Sequence, residues 1–147
     1  AALRGCIINF TGGTIMATFT VHQRKLSSDQ VDEMNRNSSS DMTSAYFKMT
    51  FPNSENVDEL VAAHFEYGIY KMTCCLQVIS DNPLDAIFHQ LNGYDHDDVE
   101  NQIILMSRRP SMSVGDIVTN TGSGVSWVCM PHGWHEIDLK IETKIAA

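Results

Sequence analysis

A chain of 147 residues suits one domain, and a 43% hydrophobic share supports a core without disulfide or metal staples. Eighteen acidic residues against ten basic ones give a formal charge of −8, which opposes non-specific binding to nucleic acid and leaves it a disfavoured partner. No apolar run approaches the ~20 residues that cross a bilayer; Cys74–Ile79, the longest, is broken by Gln77 and strand-sized, so no membrane partner is expected.

Residues 1–15 carry a weak apolar run, Cys6–Phe10, and lack the long apolar region of a signal peptide. They read as an upstream extension before Met16, with an edge strand over residues 6–10 as the alternative. Residues 16–147 read as a single domain. Ala17–Gln23 alternates, with Ala17, Phe19 and Val21 on one face, and predicts a half-buried strand. Ser27 and Gln30 have capping-box spacing and open a helix over Ser28–Arg36. The polar run Asn37–Ser44 reads as a loop, and Ala45–Phe51 as a strand stopped by Pro52.

A second helix follows, capped by Ser54, with Val57, Leu60, Val61, His64 and Phe65 at helical spacing and Gly68 at its end. The β-branched and aromatic run Ile69–Ser80 predicts a central strand. Asp81 or Asn82 caps the third helix, Pro83 fills its first turn, and Leu84, Ile87, Phe88 and Leu91 form its stripe. Tyr94–Asp98 is an acidic loop and Asn101–Ser107 a strand. Three more strands follow at Asp116–Thr119, Val125–Met130 and His135–Ile141. The order predicts an α+β fold: a mostly antiparallel, barrel-like sheet with about three short helices.

The octapeptide Ser111–Val118, SMSVGDIV, reads as a structural turn. Gly115 suits a backbone conformation that a side chain resists. Ser113 shares the turn, and Asp116 can accept hydrogen bonds from its amides. Val114, Ile117 and Val118 are placed to anchor it in the core. With PLDAIFHQLNG before it and WVCMPHGWHEI after it, this motif resembles a group of small proteins of phages, marine viruses and plasmids. Their shared pattern is Arg-Ser-x-Ser-Val-Gly-Asp-Val. The match spans Leu84–Ile137, about a third of the chain, and Pro110 stands where the group often has its arginine. The resemblance implies a virus-like or mobile-element accessory protein in the cytoplasm of a microbial or infected cell. It assigns no catalytic residue. At the level of fold, the turn is also similar to those of PUA- and ASCH-type RNA-binding barrels.

Cys129, His132 and His135, with Asp138, are metal-ligand types at three-residue intervals. Pro131 and Gly133 between them would scatter the side chains, and ordinary hairpin residues are the favoured reading. Cys129 or Cys75 beside His64, His132 or His135 would make a nucleophile, but buried small hydrophobes are favoured. The four cysteines show no secreted framework, which suits a reducing compartment. The acidic loop Asp95–Asp98 reads as a solvated turn. Phe10–Thr14 and Thr121–Gly124 are too short to cradle phosphate.

Trp127 reads as sheet packing and Trp134 as an exposed binding residue. Three functions therefore stand. The first is a non-enzymatic module that binds a protein partner or itself. The second is a small nucleic-acid-binding barrel using Arg108, Arg109 and Trp134. The third is a hydrolase or metal-dependent enzyme built on Cys129, His132 and His135. No cofactor is expected.

Overall fold

The computed structural model describes residues 10–11, 14–15, 17–93, 100–105 and 111–137, and side chains over 17–93 and 111–137. The strands are β1 (Phe10–Thr11), β2 (Thr14–Ile15), β3 (Ala17–Arg24), β4 (Tyr70–Ile79), β5 (Glu100–Leu105), β6 (Ile117–Asn120), β7 (Ser126–Cys129) and β8 (Trp134–Glu136). Helices α1 (Ser28–Arg36), α2 (Asp41–Lys48) and α3 (Val57–Glu66) lie between β3 and β4, and α4 (Pro83–Leu91) between β4 and β5. The strands β1 and β2 form a separate short hairpin. The other six form an antiparallel sheet in the order β5-β4-β3-β6-β7-β8.

The fold is α+β, but the sheet is open at β5 and β8 rather than barrel-like. Consecutive strand residues face opposite ways, and here both sides are apolar. Phe19, Val21, Leu76 and Val118 pack with Ala86, Ile87 and Leu91 of α4. Ile117 and Val128, one residue out of phase, pack with Met49 of α2 and Val57, Leu60 and Val61 of α3. Helices thus cover both faces, and the sheet buries its side chains without closing on itself.

The described residues hold four helices rather than three. The strand expected at Ala45–Phe51 is instead the end of α2 and the turn after it. Met42, Ala45 and Met49 fall at helical intervals and are buried, while Phe47 and Phe51 point outward. Part of the expected loop joins this helix, because Ser40 caps it by accepting the Thr43 amide at 3.2 Å. The start of α3 also differs. Its N-cap is Asn56, not Ser54, and Asn53 and Asn56 exchange side-chain-to-amide hydrogen bonds of 2.9 Å. At α1 the Ser27–Gln30 capping box is present in both directions. The extension or strand expected over residues 1–15 lies outside the described residues except for the short hairpin. No helix among the described residues is long and apolar enough to cross a membrane.

Candidate functional site: a polar junction beneath an aromatic helical face

The turn before β6 is closed by its own backbone. Asp116 N donates to Ser113 O (3.1 Å), and Ser113 N donates to Asp116 Oδ2 (2.8 Å). Gly115 N and Cys129 N bond to Cys129 O and Asp116 O, fixing the turn to β7 at 2.8 Å each. Tyr70 of β4 donates its hydroxyl to Gly115 O. Gly115 has φ +94°, a left-handed conformation that glycine tolerates. A Cβ there would lie 2.7 Å from Met49 Cγ and 3.0 Å from Arg24 Nε. Of the expected anchors, Ile117 and Val118 are fully buried and Val114 is half-buried.

The Asp116 carboxylate reaches beyond the turn. Oδ1 accepts Arg24 N (3.1 Å), and Oδ2 accepts Gln23 Nε2 (3.3 Å), whose amide also bonds Ser111 O (3.1 Å). The end of β3 is thereby tied to the turn. Arg24 then carries the connection into the helices. Its Nη1 donates to Tyr46 O (3.0 Å) and lies 3.4 Å from His64 Nε2, and its guanidinium sits 4.6 Å from the Tyr46 ring centre. His64 Nδ1 is 2.7 Å from Leu60 O, an acceptor, so Nδ1 carries the proton and Nε2 accepts from Arg24. A cleft of about 160 Å³ opens here, lined by Gln23, Arg24, Tyr46, Ser111, Ser113 and Asp116.

This cluster ties the SMSVGDIV turn, the end of β3 and the helices together. Both Asp116 oxygens are engaged by N–H donors, and His64 is fully buried. Burial, outweighing those donors and the Arg24 charge, lifts the Asp116 carboxyl to about 6. Burial, then the Asp116 charge, holds the Tyr70 phenol well above its usual range. Burial pushes His22 down to about 4. His64 falls to about 4 by burial, opposed by its bond to Leu60 and aided by the Arg24 charge.

These shifts predict an acid response. The two histidines contribute stability that is complete above about 6.5 and is lost as pH falls through about 4. Asp116 acts oppositely, adding stability as pH falls through about 6. Near pH 5 unfolding therefore takes up two protons and releases one. Stability should fall by about 1.4 kcal/mol per pH unit between about pH 6 and 4.5. Urea denaturation across that interval measures the slope, and His22→Leu should bring it close to zero. A flat wild-type profile would contradict the buried neutral histidines.

Among the described residues, the remaining sequence candidates do not converge. Arg108, Arg109 and Asp138, and the acidic loop, lie outside the described residues. Trp134 is half-buried rather than exposed. It packs beside Trp127 on the α4 side of the sheet and donates Nε1–H to Asp85 Oδ1 at 3.2 Å. His132 is exposed, and His135 pairs with Asp58 at 3.3 Å. No group of three metal-ligating side chains occurs among the described residues. Cys129 is a buried thiol pushed up to about 11 by burial and by the Asp116 charge, the reverse of an activated nucleophile. Cys74 is buried, and Cys75 is disulfide-bonded, a pairing the cysteine spacing did not suggest.

What the sequence did not disclose lies on the outer side of α2. Phe47 is 61% exposed and Phe51 82%. They border a groove of about 510 Å³ between α2 and α3, floored by Ala45, Leu60 and Ala63 and rimmed by Asp41 and Glu59. A second hollow of about 590 Å³ lies against Ser39, Thr43 and Phe47, so Phe47 stands as a ridge between the two. The Phe47 ring meets Tyr46 edge-on at 5.6 Å. The aromatic face is thus connected through Tyr46 to the Arg24 junction. No spacing in the sequence marks this pair, because Phe51 lies in the bend beyond the end of α2 and only the fold brings both rings to one groove. Comparison with protein-family models, curated proteins and solved structures gives no match.

Proposed function

We propose that this chain is a non-enzymatic protein-binding module whose docking surface is the α2–α3 face. The exposure of two neighbouring phenylalanines beside a groove carries this reading. Large aromatic side chains left in water are typical anchors of interfaces, and burying one contributes roughly 1.5–3 kcal/mol. The Arg24–Asp116 junction beneath serves as the scaffold that holds α2 and α3 at their angle to the sheet. The resemblance around SMSVGDIV is what supports reading the module as an accessory protein of a virus or mobile element. Nucleic acid fits less well, because the exposed helices are acidic.

The paired substitution Phe47→Ser/Phe51→Ser tests the reading. Unfolding free energy should stay within about 0.5 kcal/mol of wild type, since neither ring belongs to the core. Binding of the neutral apolar dye Nile red, followed by fluorescence, should be lost. A large loss of stability, or unchanged dye binding, would overturn the assignment of this face.

A further inference from the structure

We infer that the partner presents a basic helix with an apolar stripe, an inference that rests on the docking surface just proposed. Charge is the argument. Residues 28–67, which hold α1, α2 and α3, contain eight of the eighteen acidic side chains and only two basic ones, Arg36 and Lys48. This segment alone therefore carries −6 of the chain's −8. Asp41 and Glu59 stand exposed on the groove itself. A partner with lysines or arginines flanking an apolar stripe would meet Phe47 and Phe51 with its stripe and the carboxylates with its cations.

The same charge argues against a second copy of this chain as the occupant. Pairing two such faces would bring Asp41 and Glu59 of one groove against those of the other, with only Lys48 on each to offset them. A phosphate backbone or an anionic lipid surface meets the same repulsion. The groove lies between α2 and α3 with both phenylalanines on its border, as suits a segment that carries more than one apolar anchor.

The test compares two synthetic helical peptides of about 18 residues. Both carry leucine and tryptophan at i, i+3, i+4 and i+7; the remaining positions are lysine in one and glutamate in the other. Anisotropy of a fluorescein label on each peptide, or calorimetry, reads affinity for the full chain, whose own Trp127 and Trp134 would mask peptide tryptophan emission. The lysine peptide should bind saturably and at least about tenfold more tightly than its twin. Its affinity should weaken as salt rises from about 50 to about 300 mM. Phe47→Ser/Phe51→Ser should weaken it about tenfold or more, and Asp41→Lys/Glu59→Lys should invert the preference. Equal binding of both peptides, sensitive to the phenylalanines, would overturn the basic partner while leaving the docking face. Lysine-peptide binding insensitive to the phenylalanines would be mere charge attraction and would overturn both. Failure of both peptides to bind, with Nile red still captured in a phenylalanine-dependent way, would overturn the basic helix alone. A dimer at micromolar concentration that Phe51→Ser dissociates would make a second copy the occupant.

Discussion

Gly115→Val should destabilise the protein by about 2–5 kcal/mol, or prevent folding, whereas Ser113→Ala should cost no more than about 0.5 kcal/mol. Two costs combine at Gly115. A β-branched residue is strained at φ +94°, and its Cβ would lie 2.7 Å from Met49 Cγ, a packed methylene of the α2–sheet core. Neither can relax without moving α2 or Arg24. Ser113 differs because the turn uses its backbone N–H and carbonyl, and its side chain is exposed. Urea denaturation of both variants measures the contrast. Equal midpoints would mean that the turn is not constrained.

The second large effect is expected at Arg24. Replacement by leucine removes the donor to Tyr46 O and the partner of the His64 Nε2 lone pair, and leaves buried Asp116 without its nearest balancing cation. Removing one partner from such a network costs about 2–4 kcal/mol. Arg24→Lys should recover only part of this. An ammonium is a compact point charge; it lacks the flat guanidinium that lies over the Tyr46 ring while one of its nitrogens, Nη1, reaches both Tyr46 O and His64 Nε2. The loss should also pass to the docking face, because Tyr46, which Arg24 holds, meets the Phe47 ring edge-on at 5.6 Å. Denaturation and Nile red binding of the same variant read both consequences. Wild-type stability in Arg24→Leu would show that Asp116 and the surrounding packing suffice without the guanidinium.

Much of this architecture is written in local pattern. The capping box at Ser27, the Pro83 helix, the alternation of Ala17–Arg24 and the long apolar β4 each carry a signal decided within ten residues. The misread segment is instructive. AYFKMTF alternates like a strand and is rich in aromatics, so its local pattern favours β structure. Its helical solution is set by contacts made later, where Met49 meets the Gly115 turn and Ala45 meets α3. That error concealed the docking face, since reading a strand makes Phe47 and Phe51 core residues.

The polar junction was half legible. Gly115 and Asp116 announce a turn by type, but Gln23 and Arg24 are more than ninety residues away in sequence. Only the β3–β6 pairing brings them together. Closure of the sheet was equally beyond local pattern. Strand number suggested a barrel, while the apolar character of both sheet faces required helices on each side.

The docking face is tested most directly by where a partner touches the chain. Backbone amide shifts recorded while the lysine-rich peptide is titrated into the full chain would show this residue by residue. The largest changes are predicted at Phe47, Lys48, Phe51 and Ala63, with Ser111, Ser113 and Trp134 unmoved. Changes centred instead on the Arg24–Asp116 cleft, or on the β7–β8 hairpin around Trp134, would contradict it.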